Sequence, residues 1–304
     1  MEKEIKRSTV ESIGMAEKNE AVVKERIRLK TKEKIVVKVG TSSLTFSNGQ
    51  IDYTRIEQLA KVLSELRKSG KQIILVTSGA IAVGAGKIGM TEPPSKLAEK
   101  QALAAIGQAE LMNIYEKAFT KFHQTVAQIL LTKDGVLSPV RRQNAKNTLN
   151  TLLNMHIIPI INENDTVSTD EIEFGDNDTL SAHVSVLSEA DLLILLSDID
   201  GFYNCDPRKN ENAQIISEVQ SIDAIEEFAG NTGSNFAKGG MVTKIVAARL
   251  CTNEGIDMVI ALGEDQSIIR DVLNGKNVGT LFIGKTEYTR KTNIPSHLFK
   301  EKLG

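Results

Sequence analysis

Short apolar runs alternate with amphipathic stretches along most of the chain, and this alternation predicts its elements. Runs of strand length predict strands at residues 35–39, 73–76, 126–131, 157–161, 192–196, 256–262 and 280–283. Apolar residues at helical spacing predict helices near residues 56–70, 95–122, 144–154, 179–187 and 241–253. Strands that alternate with helices in this way indicate an α/β fold, with a parallel sheet covered by helices on both faces.

The strand predicted at residues 157–161 is followed by a strongly acidic stretch. The seventeen positions from Asn162 to Asp178 hold seven Asp or Glu, three Asn and no Lys or Arg. Such a cluster repels itself unless a cation, hydrogen-bond donors or a polar ligand compensates it. The alternative is a solvated acidic loop. Because open α/β sheets bind ligands at the C-terminal ends of their strands, we favour a binding site.

Two other strand ends are also polar. Lys38 lies inside the first predicted strand, which ends in residues 40–43, Gly-Thr-Ser-Ser. One interpretation is an edge strand with a snorkelling lysine, but the small residues that follow favour a cleft for an anion. Ser78 and Gly79 lie at a strand-to-helix turn, where free backbone N–H groups can hold a carboxylate or phosphate.

Glycine patterns exclude several nucleotide-binding classes. Residues 84–89 match G-x-G-x-x-G, but the preceding strand ends eight residues earlier, so we do not interpret them as a dinucleotide site. No Walker A pattern occurs, and the acidic stretch lacks calcium-loop spacing. The glycine-rich residues 230–240 differ because they lead into a helix with Lys244 one turn in. That segment suits phosphate, the alternative being a mobile loop with an ordinary solvated lysine.

The composition of the chain limits the classes of binding partner and the cellular compartment that we expect. The 304 residues include 37 basic and 39 acidic ones, for a net charge of −2, so nothing suggests a nucleic-acid or membrane surface. Two cysteines, Cys205 and Cys251, fit a reducing compartment, the cytoplasm, and no spacing fits a zinc site. We predict a charged, mobile extension at 1–32, one catalytic domain at 33–285 and a C-terminal tail at 286–304.

Six phrases resemble the amino-acid kinase superfamily, and most closely its glutamate 5-kinase (γ-glutamyl kinase) branch. They are VVKVGTSSL, VTSGAIAVG, PIINENDTV, FGDNDTLSA, GFYNCDPR and GGMVTK, and the resemblance spans residues 34–284. It implies a three-layer α/β/α sandwich around an open, mainly parallel sheet. It also implies transfer of the ATP γ-phosphoryl group, with Mg²⁺, to the γ-carboxylate of L-glutamate, the first step of proline synthesis. Homo-oligomers, dimers or tetramers, and proline as a feedback inhibitor are further implications.

Residue roles follow from the same resemblance. Catalytic roles are implied for Lys38 and Lys244, which would neutralise the transferring phosphoryl group, and for Asp178, which would hold both lysines. Glutamate would be bound by Ser78, Gly79, Ala80, Asn162, Asp165 and Asn177. ATP would be bound by Ser197, Asp198, Lys238, Gly239, Gly240, Met241, Val242, Thr243 and Lys244.

Two departures and two alternatives remain. The family usually has Gly-Thr where Ala237 and Lys238 stand, and many members carry a C-terminal RNA-binding-like domain, whereas about twenty residues follow Gly284 here. We therefore expect a short form. The alternatives are an N-acetylglutamate kinase and a non-catalytic amino-acid-sensing module of the same fold. The presence of both lysines favours an enzyme, and an acidic pocket at Asp165 suits a free ammonium better than an acetylated amine.

Overall fold

The structure is a computed structural model that describes residues 25–46, 50–90, 94–168, 177–205, 210–223 and 240–285, together with residues 92, 207 and 225. Its strands are β1 (Lys34–Val39), β2 (Gln72–Val76), β3 (Val126–Leu131), β4 (Ile158–Glu163), β5 (Leu192–Ser197), β6 (Phe202–Tyr203), β7 (Ile215–Ile216), β8 (Glu218–Val219), β9 (Asp257–Leu262) and β10 (Thr280–Phe282). Its helices are α1 (Tyr53–Lys68), α2 (Ala80–Lys87), α3 (Leu97–Thr120), α4 (Lys133–Leu137), α5 (Pro139–Asn154), α6 (Asp178–Ser188), α7 (Gly240–Asn253) and α8 (Ile268–Leu273).

One open sheet carries the fold. Within the described residues its strand order is β3-β4-β2-β1-β5-β9-β10-β8, and β6 pairs with β7 in a separate hairpin. Neighbouring strands run parallel except for β10, which is antiparallel to β9. The predicted open, mainly parallel sheet is thus confirmed. Parallel strands end at one edge of a sheet, so the polar residues that follow β1, β2, β4 and β5 are brought to a common edge.

The core lies on both faces of the sheet. Val37 belongs to a cluster with residues of α1, α3 and α8, whereas its neighbour Val36 belongs to a cluster with residues of α5, α6 and α7. Successive side chains of a strand point to opposite faces, so central strands that are covered twice must be apolar at every position. The expected three-layer α/β/α arrangement follows.

Several boundaries differ from the predicted ones. Helix α5 begins at Pro139 rather than near residue 144, because proline is well suited to the first helical position. Strand β4 continues through Asn162 and Glu163, which the sequence had placed beyond its end. The reason is that β3 continues its ladder with them, pairing Leu131 with Glu163.

The predicted extension at 1–32 needs correction at its C-terminal end. Residues 25–32 belong to the folded part of the chain, whereas residues 1–24 lie outside the described residues. The guanidinium of Arg26 is fully buried and donates to four carbonyl oxygens, those of Ser217, Lys276, Val278 and Gly279. An arginine whose two terminal nitrogens, Nη1 and Nη2, are both paired with distant backbone is part of the core, despite the polar composition around it. The predicted tail at 286–304 also lies outside the described residues.

The first glycine of the G-x-G-x-x-G match, Gly84, has a packing explanation. Gly84 lies within α2, where an added Cβ would stand 2.0 Å from the carbonyl oxygen of Leu103 in α3. Across the same contact, a Cβ on Gly107 would stand 1.7 Å from the carbonyl oxygen of Ala80. These two glycines allow α2 and α3 to touch backbone to backbone. That contact seats α3 directly against the turn that follows β2.

Candidate active site

Two buried lysines meet on one buried carboxylate at the C-terminal edge of the sheet. Asp178, the first residue of α6, is 1 % exposed. Its Oδ1 lies 2.7 Å from Lys38 Nζ, and its Oδ2 lies 2.9 Å from Lys244 Nζ. The lysines are 5 % and 7 % exposed. One negative charge is thereby surrounded by two positive ones, so the cluster carries net positive charge that an anionic ligand would balance.

The strand register explains why Lys38 points into this cluster. Strand β1 lies between β2 and β5, so the edge-strand interpretation of Lys38 is wrong. Lys38 is two residues after Val36 and points to the same face, which α6 and α7 cover. Because it is near the end of β1, its ammonium emerges where both helices begin. Gly40 borders this ammonium, and an added Cβ there would lie 3.6 Å from Lys38 Nζ, an ordinary van der Waals contact.

Amide side chains form a second buried group beside the turn after β2. Asn177 Nδ2 donates to the Thr77 carbonyl oxygen at 2.6 Å and to Asn162 Oδ1 at 2.7 Å, and Ser78 Oγ lies 3.1 Å from the same nitrogen. Gly79 has a φ of +99°, which glycine adopts readily, and α2 begins at Ala80. The first N–H groups of that helix have no intrahelical acceptor. The structure thus brings together the predicted Ser78, Gly79, Ala80, Asn162 and Asn177.

Asp165 is a buried carboxylate two residues beyond β4, and it is only 4 % exposed. Burial, with the negative charge of Glu163 adding to it, raises the pKa of Asp165 to about 7. Its Oδ1 has no hydrogen-bond partner among the described residues. A buried carboxylate oxygen without a partner is unfavourable, so the surroundings of Oδ1 suit a ligand with an ammonium group.

The predicted nucleotide residues are only partly described. Ser197 ends β5 and donates to Asp198 Oδ1 at 3.0 Å. At the start of α7, Thr243 Oγ1 donates to the Gly240 carbonyl oxygen at 2.8 Å and lies 3.3 Å from Asp178 Oδ2, which places the first turn of this helix beside the lysine cluster. Gly240, Met241 and Val242 belong to the same first turn, whereas Lys238 and Gly239 lie outside the described residues. The sequence analysis did not place the C-terminal end of β9 at the site. The structure shows that Gly263, which follows β9, lies close to Ser43, which follows β1, because an added Cβ on Gly263 would stand 2.4 Å from Ser43 Oγ.

Few of the described side chains near the site are placed to bind a metal ion. Within the described ranges, no three His, Cys, Asp or Glu side chains are grouped so that they could hold one. Asp178 offers both oxygens to lysines.

The described helices include none that is long and apolar enough to cross a bilayer.

Sequence reasoning missed Gln108 and Tyr115, both on α3. Gln108 accepts from Asn162 Nδ2 at 2.8 Å, and Tyr115 OH lies 2.7 Å from Thr77 Oγ1. Burial raises the pKa of Tyr115, so its hydroxyl remains neutral. A signal was available for Gln108, because it is a polar residue on the apolar stripe that includes Ala104 and Leu111.

Known proteins share both the sequence and the fold. The amino acid kinase family matches residues 33–262. A glutamate 5-kinase of Clostridium perfringens (strain 13 / Type A) is 52% identical over 265 residues, covering 86% of this chain and 98% of that protein. The glutamate 5-kinase of Clostridium tetani (strain Massachusetts / E88) is 51% identical over 255 residues, covering 84% and 96%.

Among solved structures, a carbamate kinase from Giardia lamblia, bound to AMP-PNP, matches with a TM-score of 0.60. It is 15% identical, and the match covers 84% of this chain and 99% of that one. At this identity the likeness supports the fold alone. The family match and the curated relatives carry the assignment: the chain belongs to the amino acid kinase family, within which these relatives are glutamate 5-kinases.

Proposed function

We propose that this protein is an enzyme that phosphorylates the γ-carboxylate of L-glutamate with ATP, forming L-glutamyl 5-phosphate for proline synthesis. The observation that carries the proposal is the pair of buried lysines held on Asp178 at the sheet edge that also holds the buried Asp165 and Asn177. The two lysines suit a phosphoryl group, and the side chains of Asp165 and Asn177 suit an amino acid. The curated relatives support the same substrate through their names.

The reaction needs no general base. A γ-carboxylate is already ionised near neutral pH, so one of its oxygens can attack the γ-phosphorus directly. A new O–P bond forms, the bond between the γ-phosphorus and the bridging oxygen breaks, and ADP leaves with that electron pair. No proton moves. What the protein must supply is alignment of the two substrates and positive charge around the transferred group.

Lys38 and Lys244 are suited to supply that charge. They reach Asp178 from β1 and from α7, so one carboxylate fixes both ammonium groups before any substrate arrives. Preorganised charges of this kind stabilise a transition state without reorganisation cost. Asp178 acts through the lysines and is a positioning residue, because each of its oxygens already faces one of them.

The amino acid would bind beside the buried amide side chains and the carboxylate of Asp165. Asp165 Oδ1 and Asn177 Oδ1 are buried acceptors without a partner among the described residues, and a substrate ammonium can donate to both. The turn at Ser78–Ala80 supplies free N–H groups for a carboxylate. An acetylated amine has one N–H and no charge, which suits this group less well.

Mg²⁺ would arrive on the nucleotide phosphates, since magnesium usually keeps few protein ligands and is bound largely through substrate phosphates. It would add charge neutralisation to that of the two lysines. We place the nucleotide against Ser197, Asp198 and the segment from Lys238 to Lys244. The enzyme would work in the cytoplasm, in keeping with its free cysteines. We also propose that the protein forms a homo-oligomer, a dimer or tetramer, and that proline inhibits it. Light scattering measures the first property and inhibition assays measure the second.

Trapping the acyl phosphate with hydroxylamine tests the function. Purified protein with ATP and Mg²⁺ is given L-glutamate, N-acetyl-L-glutamate or L-aspartate in parallel. We expect hydroxamate from glutamate alone. Hydroxamate from N-acetylglutamate but not from glutamate would identify the rival kinase. Glutamate binding without product from any of the three would identify a sensing module.

Replacing Asp165 with asparagine should raise the KM for glutamate roughly ten- to a hundredfold. The change keeps the side-chain shape but removes a charge-assisted hydrogen bond worth roughly 1.5–3 kcal/mol. Saturation curves with glutamate varied at fixed MgATP, and then the reverse, measure it. Asp52→Asn is the matched control, since Asp52 is another buried aspartate but caps α1 by accepting from the Arg55 N–H. A normal glutamate KM with a shifted Mg²⁺ requirement would assign Asp165 to the metal.

Glutamate kcat/KM should rise with pH around 7. Below the pKa of about 7 the Asp165 carboxyl is protonated and cannot pair with an ammonium, and kcat/KM reports the free enzyme. The stability of the ligand-free protein should change in the opposite direction. The folded pKa lies above the usual 3.8, so the folded state binds more protons and the free energy of unfolding falls as pH rises toward 7.

Paired pH profiles of kcat/KM and melting temperature measure both effects between pH 6 and 8. Asp165→Asn should flatten the rise in kcat/KM and melt higher than the wild type at pH 8, because it removes a buried ionised group. A rise in kcat/KM that persists unchanged in Asp165→Asn would show that another group titrates.

A further inference from the structure

Three buried amide side chains form a hydrogen-bonded relay through the site, and a backbone carbonyl sets its direction. Asn177 Nδ2 donates to the carbonyl oxygen of Thr77 at 2.6 Å. A carbonyl oxygen can only accept, so Asn177 must present its nitrogen there and its oxygen elsewhere. The orientation of this amide is therefore fixed by the fold, without reference to a ligand.

The same direction passes to the next two amides. Asn177 Nδ2 donates to Asn162 Oδ1 at 2.7 Å, and Asn162 Nδ2 donates to Gln108 Oε1 at 2.8 Å. The relay ends in a free acceptor, Asn177 Oδ1, and a free donor, Gln108 Nε2. Both atoms are buried and neither has a hydrogen-bond partner among the described residues. Unpaired buried polar atoms are costly, and a ligand with complementary groups removes that cost.

Helix packing places Gln108 beside the amino-acid site. Its neighbour Gly107 approaches the carbonyl oxygen of Ala80 so closely that an added Cβ would lie 1.7 Å from it. Helix α3 therefore lies against the turn that begins α2. Gln108 itself is 9 % exposed. A polar side chain at this buried position of an apolar stripe needs a partner for its nitrogen.

We propose that Gln108 determines substrate specificity by donating from Nε2 to the α-carboxylate of the amino acid. This rests on the proposed function and deepens it. The α-carbon of an amino acid carries both a carboxylate and an ammonium group. The carboxylate takes the donor end of the relay, while the ammonium donates to Asn177 Oδ1 and Asp165 Oδ1. The relay thus reads the two groups that distinguish an α-amino acid from other γ-carboxylates.

A substrate comparison tests this assignment in the intact protein. 4-Aminobutanoate is glutamate without the α-carboxylate, and it keeps the ammonium and the reacting carboxylate. Gln108→Met should lower kcat/KM for glutamate roughly ten- to a hundredfold, the effect of one charge-assisted hydrogen bond, and should leave that for 4-aminobutanoate nearly unchanged. Equal losses with both substrates would show that Gln108 only supports the fold of the site and would overturn the proposal.

A second variant keeps the relay intact. Gln108→Glu still accepts from Asn162 but turns a negative oxygen toward the substrate. We expect it to disfavour glutamate more strongly than Gln108→Met does, and to shift preference toward glutamate α-amide, whose N–H groups it can accept. Gln101→Glu makes the same change on the same helix at a half-buried position and should behave as wild type. No shift toward the amide would contradict the proposal.

Calorimetry separates this proposal from the proposed function. Binding of glutamate, 4-aminobutanoate and glutamate α-amide gives the same comparison without turnover. A wild-type protein that binds glutamate but forms no hydroxamate would refute the kinase assignment, and the Gln108 variants would still show whether the α-carboxylate is read here. An active wild type with unaltered discrimination in both variants would refute the Gln108 assignment alone.

Discussion

Replacing Lys244 with methionine should lower kcat by about 10² to 10³ while KM for glutamate changes little. Methionine keeps most of the lysine stem, so the packing of α7 is retained, but the ammonium beside the transferring phosphoryl group is lost. Removing one preorganised electrostatic partner typically costs this much in turnover. Because the ammonium stabilises the phosphoryl group in the transition state, its loss should lower kcat and leave glutamate binding nearly unchanged.

Single-turnover and steady-state assays at saturating glutamate and MgATP measure this loss. Lys146→Met is the matched control, since Lys146 is a surface lysine in an ion pair with Glu189 at 2.7 Å. It should keep wild-type turnover. Lys38→Met should resemble Lys244→Met, because both ammonium groups meet on Asp178. Retention of more than half of wild-type turnover by Lys244→Met would remove Lys244 from the catalytic group.

The apolar patterns were sufficient for the layers of the fold. Runs that are apolar at every position identify strands covered on both faces, and the structure confirms the helix–strand alternation from β1 onward. The ends of strands were less predictable where pairing with a neighbouring strand decides them. Glu163 is a strand residue because β3 pairs with it, and a local reading of its charge cannot reveal that.

Site residues could be predicted where polar side chains follow apolar strands. Ser78 and Asp165 are of this kind, because the end of a parallel strand places them at the sheet edge regardless of the loops. Lys38 lies inside β1, one residue before its end, and was noticed because a lysine is unusual in a strand that enters the core. The resemblance, rather than the pattern, paired Lys244 with Asp178 across two helices. Their meeting depends on how α6 and α7 pack, which is a tertiary fact.

Gln108 was missed for a related reason. It lies on a helix 54 positions from Asn162 in the sequence, and no spacing rule connects them. What brings it to the site is the contact between α2 and α3, which depends on Gly84 and Gly107 having no side chain. Arg26 is a similar case, since the terminal nitrogens of its buried guanidinium donate to carbonyl oxygens about 190 to 250 positions away.

Asp178→Asn should have the largest combined effect on the enzyme. Asparagine keeps one acceptor oxygen but removes the charge that both lysines share, so two buried ammonium groups would face each other without a counter-ion. Breaking a buried ion pair by removing one partner typically costs about 3–5 kcal/mol. We expect a lower melting temperature and a fall in kcat of at least about 10², since neither lysine would be held in place.

Asp257 provides the control that separates these two consequences. It is also a buried aspartate with two basic partners, Arg28 and Lys32, the latter at 2.7 Å. It lies at the start of β9, the opposite end of the strands from Asp178. Asp257→Asn should therefore lose comparable stability and retain wild-type kcat at a temperature where both variants are folded.

MgATP should partly restore the melting temperature of Asp178→Asn, because the phosphates can replace the missing negative charge between Lys38 and Lys244. It should not do so for Asp257→Asn beyond its effect on the wild type. Thermal melts with and without MgATP, paired with turnover assays at the same temperature, measure both differences. If Asp257→Asn lost as much turnover as Asp178→Asn, instability alone would explain the loss, and Asp178 would have no positioning role.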